Sequence, residues 1–124
     1  MKNRQDIFIE VVQHLCAQGR QSSDGINCMY RGPDNTKCPS GWLIPDSFRI
    51  DARTNIFGLG ASLIQQGLLE GGVDLRKPSI RRLMYELQSI HDLGEVSDWP
   101  RAFTNLARSL RLDPTVVHNA YGLG

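Results

Sequence analysis

The chain has 124 residues, 40% of them hydrophobic and 22% charged, with 14 Lys and Arg against 13 Asp and Glu. That length gives one hydrophobic core, so a single globular domain spanning residues 1–124 is expected. The formal net charge of +1 excludes a nucleic-acid binder that works through a bulk positive field, and an acidic nucleic-acid mimic as well.

The first element is the clearest. Asn3 can cap a helix, and Asp6 suits its positive end. Ile7, Phe8, Val11, Val12, Leu15 and Cys16 then form one apolar stripe on a helical period, and Gly19 closes it. His14 lies beside the stripe as a boundary residue. Gln21-Ser22-Ser23-Asp24-Gly25 reads as a loop. Ile26 to Arg31 and Thr36 to Cys38 read as the two strands of a short hairpin, turned by Gly32-Pro33-Asp34-Asn35. A two-stranded hairpin is marginal alone, so it must pack on helices. Gly41 permits close backbone approach, and Trp42, Leu43 and Ile44 are core candidates.

Residues 47–57 are weakly patterned. Leu59, Leu63 and Ile64 fit a short helix stopping near Gly67. Pro78 or Ser79 opens the longest amphipathic run, with Ile80, Leu83, Met84, Leu87, Ile90 and His91 on one face and Gly94 at its end. Ser97-Asp98-Trp99-Pro100 starts a further helix that buries Trp99, Phe103, Leu106, Ala107 and Leu110. Asp113 and Pro114 open a last short helix running to Gly122. The fold class is therefore mainly α (α+β): a compact bundle of about five helices, with a small two-stranded hairpin after the first.

Three cysteines, Cys16, Cys28 and Cys38, make an odd count. The N-terminal residues Met1 to Asp6 are not followed by an apolar run of signal-peptide type, and no stretch is apolar enough to span a membrane. A cytoplasmic, reducing compartment is the expectation. Eleven of the fourteen basic residues are Arg, which suits an Arg-bearing contact surface.

Chemistry has few footholds. No P-loop, GxGxxG, GxSxG or HExxH pattern occurs, so no enzyme and no cofactor are expected. A zinc-stabilised or enzymatic domain would have to use Cys28, Cys38 and His91, without the CxxC spacing that marks zinc sites. Cys38, His91 and Asp92 have the residue types of a nucleophile, base and orienter. However, adjacent helix positions point about 100° apart, so His91 and Asp92 are not expected to share a target. Asp92 is expected to pair with a neighbouring Arg.

Residues 106–117 are similar to a helix-turn-helix core, with Ala107, Leu110, Leu112 and Val117 in the small and apolar places and Arg111 where the turn glycine stands. On that alternative, residues 100–122 form a DNA-binding helical pair. Arg101, Arg108 and Arg111 would touch phosphate, and His118 and Asn119 would read bases.

Two blocks carry a resemblance. Residues 28–46, CMYRGPDNTKCPSGWLIPD, resemble a C-x-Y-R-G-P-D-G-x-K-C-x-x-G-x-L-I-P-D block. Leu87-Gln88-Ser89-Ile90-His91-Asp92, followed by Trp99, resembles an L-Q-x-I-H-D…W block. Together, over most of residues 4–112, they resemble a family of small uncharacterised proteins of bacteriophages, prophages and bacteria. The chain departs from that pattern at Asn35, where the block has Gly, and after Asp46. The resemblance supplies a context and no activity: small phage proteins without catalytic motifs often occupy the surface of a host protein, so the expectation is a binder that inhibits a defence factor in the manner of an anti-CRISPR, or a replication factor. The surface residues suited to that are Met29, Tyr30 and Arg31, with Arg49 and Arg53 in the following loop.

Overall fold

The computed structural model describes residues 1–25, 28–49 and 61–122. Among the described residues six helices run in chain order: α1 (Arg4–Gln18), α2 (Pro39–Leu43), α3 (Ala61–Glu70), α4 (Pro78–Leu93), α5 (Trp99–Leu110) and α6 (Thr115–Tyr121). Short 3-10 turns cover Pro33–Asn35 and Val96–Asp98. No described helix is long and apolar enough to cross a membrane.

α1 begins as its sequence requires. The Asn3 side chain accepts from the Asp6 N–H, and the Asp6 carboxylate accepts in return from the Asn3 N–H, which closes a capping box. Gly19 ends the helix in the left-handed conformation, with φ 69°. Ile7, Phe8, Val11, Val12 and Leu15 are all fully buried. Each such side chain contributes about 1.5–3 kcal/mol by leaving water. α4 and α5 supply much of the rest of the centre: Ile80, Leu83, Met84 and Leu87 from one, Trp99, Phe103, Leu106 and Ala107 from the other, with Ile44, Ile64, Leu68 and Val117 from the neighbouring segments.

α6 closes the bundle against α1, far away in sequence. The Arg4 guanidinium donates to the Leu110 carbonyl at 3.0 Å. Gln5 makes a reciprocal pair with Asp113: its amide donates to the Asp113 carbonyl, and its oxygen accepts the Asp113 N–H. Further along α1, the Cys16 thiol donates to the Ala120 carbonyl.

Three expectations are corrected. The hairpin is not present as two strands among the described residues, although Ile26 and Asn27 of its first strand lie outside them. The segment makes two isolated antiparallel bridges, Ser23 with Cys28 and Arg31 with Lys37. Pairing cannot extend because Pro39 turns the chain straight into α2, while the Met29 N–H goes back to the Ser22 carbonyl. α3 runs past Gly67 to Glu70. Gly67 is buried beside Ile44 and Phe48, so it serves close packing there and not termination. Trp42 is not core: it is 45% exposed, because the five-residue α2 turns Pro39, Gly41 and Leu43 inward.

Gly41 has its own requirement. A Cβ at this position would run into the Tyr30 carbonyl oxygen, so α2 lies directly on the preceding loop's backbone. That oxygen also accepts from the Cys38 N–H.

Candidate functional site

Two polar clusters lie beside the helices, each built on a histidine stacked on a tryptophan.

The first is buried. α4 carries Gln88, His91 and Asp92 at spacings of three and four, which places them on one side of the helix. The fully buried His91 ring lies 5.9 Å from the Trp99 ring. Its Nε2 accepts the Ser22 backbone N–H at 2.9 Å. That fixes the tautomer: the proton sits on Nδ1 and is donated to Asp92 Oδ1 at 2.6 Å. The pair is therefore a neutral imidazole on a carboxylate. Asp92 also accepts from the Gln88 amide, and the Gln88 oxygen accepts both the Ser40 N–H and the Ser40 hydroxyl. Gln21 donates to the His91 carbonyl. In this way α4 holds the loop after α1 and the start of α2.

One reading of Asp92 is extended and one is corrected. It does meet His91, because Nδ1 is the ring nitrogen nearest the backbone and the next residue's carboxylate can reach it. Among the described residues its side-chain partners are His91 and Gln88, in place of an Arg.

The ligand-bearing atoms of Cys28, His91 and Asp92 lie within 4.8 Å of one another. They do not form a ready metal set. A cation on Nδ1 would push the ring proton to Nε2, directly against the Ser22 N–H. The Cys28 thiol donates toward the Asp92 carbonyl. Burial and the Asp92 charge push its pKa up to about 11, away from the thiolate a metal or a nucleophile needs. Cys38 stands apart from this group. It is buried, and its sulfur accepts the Gly41 N–H at the start of α2. Burial raises its thiol to about 12. All three cysteines are free.

The second cluster is on the surface, and the sequence reading missed it. His14 stacks on Trp42 with ring centroids 4.2 Å apart and planes 8° from parallel. His14 Nε2 donates to the Lys37 carbonyl at 2.7 Å, and Lys37 Nζ stands 5.8 Å from the Trp42 ring centre. Lys37 also pairs with Asp46 at 2.8 Å, which lowers the Asp46 pKa. Burial lowers the pKa of His14, against the opposing pull of its bond to Lys37. The platform borders a groove of about 610 Å³ whose lining includes Glu10, Gln13, Arg20 and Asp34. Its sequence signal was faint: His14 beside the α1 stripe, and a Trp in a helix too short to show a face.

The partner-binding candidates separate. Tyr30 is 4% exposed and belongs to the core. Arg31 is half-buried and donates to the carbonyls of Phe48 and Pro45, both at 2.9 Å, so it holds the chain that leaves α2. Both face inward, correcting their reading as surface contacts. Met29 is half-buried, Arg49 is exposed and Arg53 lies outside the described residues.

Of the nucleic-acid candidates, Arg101 pairs with Asp98 at 2.9 Å. Arg108, Arg111 and Asn119 are exposed and His118 is half-buried. Arg111 takes the left-handed conformation, φ 57°, in the place a turn glycine would hold.

No family model matches the chain. No curated protein matches it. No solved structure matches it.

Proposed function

We propose that this protein acts by binding another protein, with the Trp42 platform at the centre of the contact. The observation that carries this reading is a large aromatic side chain, 45% exposed, whose orientation is already set by a parallel His14 ring. Tryptophan anchors of this kind concentrate binding energy at interfaces, and a pre-set rotamer reduces the entropy lost on association. An interface of about 800 Å² per partner is within reach of a domain of this size. Arg20, at the groove, supplies a polar rim. Taken with the resemblance to small phage and prophage proteins, the partner is a host protein in the cytoplasm, and occupying it blocks a defence or replication factor. The buried His91 cluster serves this function indirectly, by keeping the loop and α2 in place.

The DNA-binding alternative at residues 100–122 has less to work with. One of its three arginines is engaged by Asp98, and α6 has only seven residues.

The test is affinity capture from nuclease-treated bacterial lysate on immobilised protein, with Trp42→Ala in parallel. One partner near equal stoichiometry on the wild-type protein, and lost on the variant, is the expected result. Equal capture by both proteins, or none by either, overturns the reading.

A further inference from the structure

The segment that opens α4 reads Arg76-Lys77-Pro78-Ser79-Ile80-Arg81-Arg82, four cations in seven positions of a chain whose net charge is only +1. All four are exposed, while Ile80 between them is buried. Arg76 is held by Asp74 through both its Nε and Nη2, at 2.9 and 3.2 Å. Lys77, Arg81 and Arg82 make no ion pair among the described residues, although Lys77 stands near enough to Asp74 to help lower its pKa. Arg81 and Arg76 also line a groove of about 680 Å³ with Ser62, Gln65 and Gln66 of α3.

We propose that this ridge and its groove contact the phosphodiester backbone of a nucleic acid. Three physical points favour that partner. Arginine forks match phosphate oxygens two at a time. Concentrated, unpaired cations gain most where a polyanion releases its condensed counterions, and a local cluster does this without a bulk positive charge. The centre of a protein–protein contact is depleted in charge, whereas Lys77, Arg81 and Arg82 all stand exposed on the ridge, even though the groove beside it also carries Leu63, Leu69, Leu75 and Asp74. The amides of Gln65 and Gln66 and the Ser62 hydroxyl in the groove offer the donors and acceptors that sugar and base edges accept. This surface is separate from the Trp42 platform and does not depend on it.

The experiment is fluorescence anisotropy with labelled single-stranded DNA, single-stranded RNA and duplex DNA, titrated with the full chain at salt between about 50 and 200 mM. Three proteins are compared: the wild type, the triple variant Lys77→Ala, Arg81→Ala, Arg82→Ala, and the pair Arg108→Ala, Arg111→Ala. All the substituted side chains are exposed, so thermal melts should coincide and binding losses report contact. We expect at least one labelled probe to bind the wild type. The triple variant should lose at least about tenfold in affinity at low salt, and the slope of log K against log salt should become shallower by about 2 to 3. The Arg108 and Arg111 pair should bind as the wild type does. No binding of any probe at the lowest salt overturns the proposal, as does a triple variant that binds normally or an equal loss in the second pair. Competition by polyglutamate as effective as unlabelled oligonucleotide also overturns it, because the ridge would then be a surface for acidic protein.

Discussion

The two histidine–tryptophan pairs use the same chemistry to opposite ends. His91 on Trp99 is fully buried, while His14 lies beside a Trp42 that is 45% exposed. The tautomers are opposite too. His91 accepts a backbone N–H at Nε2, whereas His14 donates to a backbone carbonyl from the same atom. The backbone group that faces the ring decides which nitrogen carries the proton. The inner pair has every ring nitrogen committed, and the cluster around it reaches Ser22, Gln88 and Ser40. The outer pair leaves one large aromatic available to solvent. Polar residues at helical spacing thus mark internal ties in one place and a contact surface in the other, and burial is what separates them.

That contrast can be broken at its inner end first. His91→Ala leaves the Ser22 N–H and the Asp92 carboxylate without their partner and opens a cavity against Trp99. The expected cost is about 3–5 kcal/mol in urea denaturation. A loss below about 1 kcal/mol would show that the ties are decorative. Gly41→Ala tests the loop that the inner cluster holds. Its Cβ meets the Tyr30 carbonyl, which is backbone and cannot swing away, so a cost of about 3 kcal/mol is expected in the same assay.

The outer pair should respond to acid. The folded-state pKa of His14 lies below its ordinary value of 6.5, mainly because of burial. The unfolded chain therefore binds the proton more readily. The stability His14 contributes is complete above 6.5 and declines as pH falls toward the lowered folded value. Melting temperatures recorded from pH 7.5 down to 5 should fall less in His14→Gln than in the wild type. An identical slope would detach His14 from the acid response. The smallest effect on stability belongs to Trp42→Ala, within about 1 kcal/mol, because a half-exposed ring on a stacked partner forfeits little packing. A larger loss would place Trp42 with Trp99 as a structural residue and remove it from the binding surface.

The sequence made some of this legible and hid the rest for identifiable reasons. α1 and α5 announce themselves because their apolar residues repeat on one face over three turns or more, with Asn3 and Gly19 marking the ends of α1. α2 has five residues, and no periodicity can tell which way Trp42 points over so short a span. The loop at 28–38 carries hairpin chemistry at its turn, but its pairing is limited by where Met29 and Cys38 find backbone partners, which is a tertiary matter. The inner cluster was half visible. Gln88, His91 and Asp92 interrupt an apolar face at spacings of three and four, which signals a buried polar group in need of partners. The partners themselves, Ser22 and Ser40, lie 69 and 48 positions away. The basic ridge was written openly in residues 76–82 and was obscured by the near-zero total charge.

The tie between the first helix and the last has a consequence for synthesis. Arg4 and the Leu110 carbonyl it holds are separated by 106 positions, and Gln5 and Asp113 by 108. At about 5–20 residues per second, a ribosome takes roughly 5–20 s to make the α6 that α1 packs against. Through that interval the stripe of Ile7, Phe8, Val11, Val12 and Leu15 lacks its final neighbour. The nascent chain therefore presents a sticky amphipathic segment to holdase chaperones before it presents any finished surface. Its yield in a cell will depend on translation speed and chaperone supply as well as on the stability of the completed bundle.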